Sequence, residues 1–342
     1  MDTTNQRKWE VIDLIRSDPD ADRRRGHFDR IRLTHRALPE LDLKAVDPST
    51  EFLGKRLSFP LLISSMTGGD HDRLRDVNRH LALAAEATGV AMGVGSQRVM
   101  FTDPEARDSF ALRACAPRTV LMANLGAVQL NHGFGLSECR AAVDVLAADA
   151  LILHLNPLQE AVQPEGDTDF SGLADKIGAI SEHLGVPVVI KEVGAGLSAA
   201  DVERLLARGI RHVDVAGAGG TSWSRIENHR HAPGLGGDLG LLFQDWGLPT
   251  PLALRALRPY AGRLTAIASG GLRTGVDMVK AMALGASLCG MAQPFLEPAL
   301  ESAERVIEVI ERLKREFVTA MFLLGLDRVG LLVGNAGLIV EE

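Results

Sequence analysis

The sequence LILHLNPLQEAVQPEGD, residues 151–167, decides the fold. Its first six residues alternate between two faces, because strand side chains point to opposite sides at a period of two. One face carries Leu151, Leu153 and Leu155, and the other carries Ile152, His154 and Asn156. Pro157 ends the strand, and a dense polar group follows: Gln159, Glu160, Gln163, Glu165 and Asp167. The pattern predicts a site at the carboxyl end of a buried strand, with purely structural hydrogen bonding by His154 and Asn156 as the alternative.

The same rhythm recurs along the chain from Pro60 onward. A short apolar run, a glycine-rich or polar break and an amphipathic helix repeat eight times. The apolar runs are Leu61–Ser64, Val90–Gly95, Thr119–Asn124, Ala150–Asn156, Pro187–Glu192, His212–Ala216, Leu264–Ala268 and Ser287–Met291. The helical patterns include Leu74–Thr88, Leu136–Ala147, Leu173–Leu184, Ala199–Ala207, Leu252–Pro259, Val276–Leu284 and Ala299–Leu324. Eight such units predict a (β/α)₈ barrel, a TIM barrel, over residues 57–342, preceded by an extension over residues 1–56 that packs on or over it.

One connection is much longer than the others. Between the sixth and seventh predicted strands the chain inserts Ser222 to Thr250, which contains two of the three tryptophans, Trp223 and Trp246. Connections of this length in a compact domain are usually functional or disordered. We therefore expect this insertion to form a lid.

Composition limits the classes of protein that fit. The 342 residues are 46% hydrophobic, which suits a chain that folds without disulfides or metal. The three cysteines fit no metal or disulfide spacing, so we expect a reducing, cytoplasmic location. No apolar run reaches the roughly 20 residues of a membrane span. A net charge of −7 argues against nucleic acid as a partner, whereas a small anionic ligand needs only a local basic pocket.

The breaks after the predicted strands are rich in glycine. In a barrel these breaks meet at the carboxyl face, where active sites lie. The segment Gly270 to Gly275 precedes a helix, and this arrangement suits a phosphate held by backbone N–H groups and a helix amino terminus. Glycines that only form tight turns are the alternative.

A lysine ends the fifth predicted strand. Lys191 follows three apolar residues, so its burial is expected, and a buried lysine needs an anionic partner. It could stabilise an anionic cofactor or intermediate, or form a Schiff base. An ion pair with Glu192 is the structural alternative, but neighbouring strand residues face opposite ways.

Together, the rim motifs resemble one family. SSMTGG, HLNPLQE with PEGD, VIKEVGAG, VDVAGAGGTSW and ASGGLRTG occur in the order found in type 2 isopentenyl-diphosphate isomerases, and the likeness covers nearly the whole chain. The resemblance implies an FMN-dependent barrel that interconverts isopentenyl and dimethylallyl diphosphates without net redox change. It also implies reduced flavin, Mg²⁺, NADPH as flavin reductant, and a homo-oligomer of four or eight chains.

The resemblance also implies roles for individual residues. The flavin would contact Ser65, Met66, Thr67, Ser96, Asn124, Lys191 and Thr221, and its phosphate would contact Gly271, Leu272, Arg273, Ala292 and Gln293. The substrate would contact Arg7, Lys8, Ser96, Arg98, His154, Asn156 and Gln159. Glu160 would bind the metal, and the candidates for catalytic roles are Lys191, His154 and Gln159. Val11 and Gln293 depart from the family pattern, where a histidine and a basic residue are common.

The proton transfers that the implied reaction needs restrict the possible acids and bases. Moving an isoprenoid double bond requires a proton added at one carbon and another removed two carbons away, with an acid that is close, oriented and shielded from water. No predicted rim residue is an obviously strong acid. The hypothesis is that reduced FMN supplies the acid and base, Lys191 stabilises its charge, and the Trp223 loop excludes water.

Three other functions stay open at this stage. An FMN-dependent oxidoreductase of the 2-hydroxyacid oxidase type would use a similar phosphate rim. A purine-nucleotide dehydrogenase barrel would need a nucleophilic cysteine on a rim loop, but Cys115 and Cys139 are expected on helices and Cys289 within a strand. A catalytically silent phosphate-binding relative is the third.

Overall fold

A closed parallel β-barrel organises the molecule. The computed structural model describes residues 11–66, 72–230 and 238–340. Within them, eight strands follow one another around the barrel, and the eighth pairs with the first. They are β1 (Leu61–Ile63), β2 (Ala91–Gly93), β3 (Leu121–Gly126), β4 (Ala150–Leu155), β5 (Val188–Glu192), β6 (His212–Asp214), β7 (Thr265–Ala268) and β8 (Leu288–Met291). The predicted (β/α)₈ fold is confirmed.

The alternation in β4 separates two apolar layers. Leu151 and Leu153 are fully buried in the large cluster that the strands form with the surrounding helices. Ile152 belongs to a second cluster, inside the barrel, with residues of other strands such as Met122 and Val189. His154 therefore follows Ile152 on the inner face, and this position brings it to the mouth of the barrel.

Eleven labelled helices accompany the strands in the described ranges. They are α1 (Asp72–Thr88), α2 (Leu136–Leu146), α3 (Pro157–Val162), α4 (Leu173–His183), α5 (Ala199–Leu206), α6 (Trp223–Asn228), α7 (Leu239–Leu242), α8 (Thr250–Leu257), α9 (Gly275–Ala283), α10 (Gln293–Glu301) and α11 (Ala303–Leu323). Residues 11–17 are also helical. None of these helices is both long and apolar enough to span a membrane.

Two helical expectations need correction. The rhythm predicts a helix between β2 and β3, but the structure has the 3₁₀ segments Gln97–Phe101 and Pro104–Phe110 there. The predicted helix Ala299–Leu324 is two helices, α10 and α11, separated at Ser302, which is fully extended (φ −168°, ψ 168°). Ser302 caps α11 by accepting a hydrogen bond from the Arg305 N–H, so its side chain favours a new helix start over continuation.

Short strands outside the barrel close its amino end and tie the chain termini together. Thr50–Phe52 and Lys55–Leu57 form an antiparallel hairpin, and Phe52 and Leu57 join the inner apolar cluster. Arg32–Leu33 pairs with Ile339–Val340. The hairpin spans residue 56, where the sequence places the end of the extension.

The segment over residues 18–26, called here the rim strap, crosses the loops after β5, β6 and β7. The Arg23 guanidinium donates to the Gly194 carbonyl (2.8 Å), and the Ser222 N–H donates to the Ala21 carbonyl (2.8 Å). Asp22 pairs with Arg273. The rim strap thus holds three loops of the carboxyl face from their outer side.

Tight backbone packing and a second ion pair fix the rim strap. A Cβ on Gly26 would overlap the Gly271 carbonyl oxygen, so a side chain is excluded at that position. Asp18 accepts from Arg225 (2.6 Å), and this hydrogen bond holds the pKa of Asp18 well below its ordinary value.

Candidate active site

A cavity of about 560 Å³ lies at the carboxyl end of the barrel, and loops after all eight strands line it. The volume is typical of small-molecule sites. Every predicted site residue within the described ranges lines this cavity: Ser65, Met66, Ser96, Arg98, Asn124, His154, Asn156, Gln159, Glu160, Lys191, Thr221, Gly271, Leu272, Arg273, Ala292 and Gln293. Arg7, Lys8 and Thr67 lie outside the described residues. The structure thus brings His154, Glu160 and Lys191 into one shared cavity.

Lys191 is buried and paired with a partner that the sequence analysis missed. Its Nζ lies 2.8 Å from Asp214 Oδ2 and 3.1 Å from Ser269 Oγ. Glu192 is not its counter-ion, because the Glu192 carboxylate accepts the backbone N–H groups of residues 193–196. Burial raises the pKa of Glu192, and those N–H bonds offset part of the rise. The argument from strand geometry against a Lys191–Glu192 pair is confirmed.

His154 is neutral at ordinary pH. Its Nδ1 lies 2.8 Å from Asn124 Oδ1, and Asn124 Nδ2 donates to the Val94 carbonyl, so Asn124 presents its oxygen to the ring. Burial, and then the positive charge of Lys191, lower the pKa of His154 to about 4. An uncharged imidazole in this place can bind or orient a ligand, but it supplies no proton near pH 7.

The depressed pKa of His154 predicts a pH-dependent stability. Between about pH 4 and 6.5 the unfolded chain binds a proton at this histidine more readily than the folded protein does. The free energy of unfolding should therefore rise with pH across this window, by about 2–3 kcal/mol. Urea unfolding of the wild type and His154→Asn at several pH values measures the effect. Equal pH slopes for the two proteins would contradict it.

A short helix after β4 places the polar cluster that the sequence predicts. Pro157 is the first residue of α3, a position that proline favours, and α3 turns Gln159 and Glu160 into the cavity. Asn156 Nδ2 donates to Gln159 Oε1 (3.2 Å) and to Glu160 Oε1 (2.7 Å). Glu160 Oε2 accepts the Asp167 N–H (2.7 Å). The Asp167 side chain in turn pairs with Arg98 (3.3 Å), so the cluster links β4 to the loop after β2.

The insertion contributes two charged residues that the sequence analysis missed. Glu227 is fully buried and accepts from Gln159 Nε2 (2.7 Å) and from Arg230 (2.6 Å). Arg230 also pairs with Glu165, so the insertion is held to the loop after β4. The available signal was a glutamate in the predicted insertion, Glu227, followed three residues later by an arginine, Arg230.

The two tryptophans of the insertion differ in position. Trp223 lines the cavity, whereas Trp246 is 62% exposed and packs on Phe243. Closure of the insertion as a lid stays a prediction.

The backbone N–H groups at the start of α9, where the sequence predicts a phosphate, already have partners within the protein. The N–H groups of Arg273 and Thr274 both donate to Asp277 (3.0 Å), and the Gly275 N–H donates to Glu316 (2.8 Å). Protein carboxylates thus occupy this helix amino terminus. Gly271 and Leu272 on one side, and Ala292 and Gln293 at the start of α10 on the other, also line the cavity.

None of the three cysteines lines the cavity. Cys139 lies in α2 and Cys289 in β8, as predicted, and burial raises the pKa of both thiols, that of Cys139 to about 12. Cys115 lies in a turn and not on a helix, because the segment before β3 is not α-helical. A cysteine-dependent dehydrogenase has no nucleophile here.

Three buried polar atoms at the cavity have no hydrogen-bond partner among the described residues. They are the hydroxyl oxygens of Ser64 and Ser65 and the Oδ1 atom of Asn156. Buried polar atoms are usually paired, so unpaired atoms of residues that line a cavity indicate places where a polar ligand would supply the partner. Ser64 and Ser65 lie after β1, and Asn156 lies after β4, so polar ligand atoms are expected at two places along the cavity.

Comparison with known proteins identifies the family of this chain. The FMN-dependent dehydrogenase family model matches residues 4–104 and 144–336. The isopentenyl-diphosphate delta-isomerase of Paracoccus zeaxanthinifaciens is 58% identical, over 97% of this chain and 96% of its own length. The enzyme of the same name from Hydrogenovibrio crunogenus is 53% identical, over 98% of each chain.

Solved structures agree in fold. A sulfite-bound variant of flavocytochrome b2 superposes with a TM-score of 0.69 at 21% identity, covering 93% of this chain and 78% of the other. A mandelate oxidase variant superposes with a TM-score of 0.63 at 20% identity, covering 93% and 88%. The chain belongs to the FMN-dependent dehydrogenase family and to the isopentenyl-diphosphate delta-isomerase family.

Proposed function

We propose that this protein interconverts isopentenyl diphosphate and dimethylallyl diphosphate, using reduced FMN and Mg²⁺. The observation that carries the proposal is that one cavity contains all the described residues that the family resemblance assigns, in a chain 58% identical to an isomerase of this name. NADPH is the proposed reductant of the flavin. The proposed location is the cytoplasm, and the proposed assembly is a homo-oligomer of four or eight chains.

The residues present fit a flavin mononucleotide. The buried hydroxyls of Ser64 and Ser65 have no partner among the described residues, so they would be available as donors to a polar edge of the ring. Met66 offers an apolar contact, and Lys191 offers a donor on the opposite side of the barrel mouth. Gly271 and Leu272, after β7, and the start of α10, after β8, line the same cavity. The backbone N–H groups of these segments could hold the phosphate of the flavin. Bound in this way, reduced FMN would supply the proton donor and acceptor for the allylic shift.

Glu160 fits a magnesium ion that is shared with a diphosphate. No group of three or more His, Cys, Asp or Glu in the described part of the chain could hold a metal by itself. Mg²⁺ is commonly bound through one or two carboxylates together with substrate phosphates, so a single carboxylate is sufficient. Each Glu160 oxygen accepts one hydrogen bond and keeps a second lone pair for the metal.

The remaining wall suits the substrate. Arg98 offers a cation to the diphosphate, and the proposed Arg7 and Lys8 contacts would add two more. Val11, Ile12 and Ile15 of the helix over residues 11–17 also line the cavity and can cover the hydrocarbon chain. Residues 1–56 are therefore proposed as an extension that completes the site, and residues 57–342 as one barrel domain. Trp223 lines the cavity, and its proposed role is to exclude water.

A stoichiometry assay tests the proposal. Purified protein reconstituted with FMN, reduced once, and given isopentenyl diphosphate with Mg²⁺ should form many equivalents of dimethylallyl diphosphate per flavin. Reconstitution with 5-deazaFMN should abolish turnover, because the nitrogen at position 5 is replaced by carbon. A 2-hydroxyacid oxidase would instead oxidise one substrate molecule for each flavin reduced. Isomerisation retained with 5-deazaFMN would refute the role given to the flavin.

A further inference from the structure

Three side chains from neighbouring strands meet on the cavity floor. Lys191 in β5 is the direct register partner of Asp214 at the end of β6, and Ser269 follows β7. Asp214 is only 1% exposed and Ser269 4%. Strand pairing therefore fixes the backbone positions of all three groups relative to one another.

The hydrogen bonds among them form a closed ring. Lys191 Nζ donates to Asp214 Oδ2 (2.8 Å) and to Ser269 Oγ (3.1 Å). Ser269 Oγ donates to Asp214 Oδ1 (2.5 Å), which also accepts the Ala216 N–H (3.1 Å). Both oxygens of the carboxylate are thus occupied, and the Ser269 hydroxyl acts as donor and acceptor at once.

A count of the donors shows what the ring leaves free. An ammonium group has three N–H donors, and the ring uses two of those on Lys191. Lys191 lines the cavity, so the third donor faces the ligand space. Because two hydrogen bonds fix the orientation of the ammonium group, the direction of the third N–H is fixed as well. Because Asp214 is paired with it, the positive charge of Lys191 is offset in part by a buried carboxylate.

We propose that Asp214 and Ser269 are positioning residues that aim a single N–H of Lys191 at an acceptor atom on the planar ring of the bound flavin. The cavity floor then presents a directed donor and not a free cation. The inference rests on the proposed flavin site and adds two residues that the family resemblance did not assign. The alternative is that the ring only stabilises the barrel.

Ser269→Ala is the informative variant. It removes one anchor of Lys191 but keeps the ion pair with Asp214, so the change to the fold is small. The dissociation constants of FMN and riboflavin should both rise about tenfold, and by the same factor, because the contact is to the ring that the two ligands share. The visible spectrum of the bound flavin should shift as well. Ser109→Ala, which removes another buried hydroxyl away from the cavity, is the control and should change neither.

A double variant separates positioning from structural support. If Ser269 acts through Lys191, then Ser269→Ala should have no further effect on flavin affinity in a Lys191→Met background. Unchanged flavin affinity and spectrum in Ser269→Ala, or an equal loss with and without Lys191, would overturn the inference. Failure of the wild type to bind FMN would instead refute the proposed function, so the two failures are distinguishable.

Discussion

Lys191→Met should lower the free energy of unfolding by about 3–5 kcal/mol, because it leaves the carboxylate of Asp214 buried without its counter-ion. Asp214 is 1% exposed, so water cannot replace the lost ammonium. Removing both charges in Lys191→Met with Asp214→Asn should restore most of the stability, since the introduced amide oxygen could still accept from Ser269 and the Ala216 N–H. Urea denaturation of the wild type, of Lys191→Met and of the double variant measures these differences in the free energy of unfolding.

The opposite end of the barrel provides a matched control. Lys55 also pairs with an aspartate, Asp149 (2.7 Å), but its side chain is 32% exposed and Arg113 pairs with the same carboxylate. Lys55→Met should therefore cost only about 1 kcal/mol. If Lys191→Met were as stable as Lys55→Met, or the double variant no more stable than Lys191→Met, the buried charge would not be the cause.

Glu160→Gln should reduce kcat/KM for Mg²⁺-dependent isomerisation about 1,000-fold, equivalent to roughly 4 kcal/mol of transition-state stabilisation. The substitution removes the negative charge for the metal. It also turns an amide NH₂ toward either Asn156 Nδ2 or the Asp167 N–H, both of which are donors. Initial rates across a Mg²⁺ titration measure the loss. Flavin affinity should stay unchanged, because Glu160 is not among the proposed flavin contacts.

An exposed carboxylate between α3 and α4, in the same connection after β4, provides the comparison. Asp169 bonds only Ser171 and Asn131 in the contacts of the described residues, and it does not line the cavity. Asp169→Asn should keep kcat/KM within about twofold. Glu160→Gln with near wild-type rates at ordinary Mg²⁺ would remove Glu160 as the metal ligand.

Local periodicity was sufficient to predict the barrel and to bring His154 and Lys191 to its mouth, whereas most of the other site residues were predicted from the family resemblance. The alternation in β4 places Leu151 and Leu153 against the helices and Ile152 inside, and the same reasoning brings His154 to the cavity. The prediction succeeds because a parallel barrel brings every strand's carboxyl end to one face. The residues after each strand are then neighbours whatever their separation in the chain.

The partners of these residues could not be predicted in the same way. Asp214 is an acidic residue between Val213 and Val215, and a buried acidic residue implies a cationic partner without identifying it. Its pairing with Lys191 depends on register between β5 and β6, which periodicity within one strand does not determine. Glu227 and Arg230 depend on how the insertion folds back onto α3, a tertiary contact with no sequence period.

The start of α9 shows another limit of prediction from sequence, because carboxylates of the protein already accept its backbone N–H groups. A glycine-rich turn before a helix favours anion binding, but Asp277 and Glu316 are anions supplied by the protein itself. Asp277 could be recognised from its position three residues after Thr274, the spacing of a capping box. Glu316 comes from α11, far along the chain, and only the folded structure shows it.

The rim strap also has a kinetic consequence. Asp22 and Arg273 are separated by 251 positions, so their contact closes one of the longest loops in the polypeptide, and the entropy of such closure delays its formation. During synthesis, residues 18–26 leave the ribosome before the loops after β5, β6 and β7 that they contact, and the Asp22–Arg273 pair cannot form until the loop after β7 exists. The loop after β7 should therefore be among the last parts to reach its native arrangement, and a nascent chain should acquire the ability to retain FMN only at the end of translation.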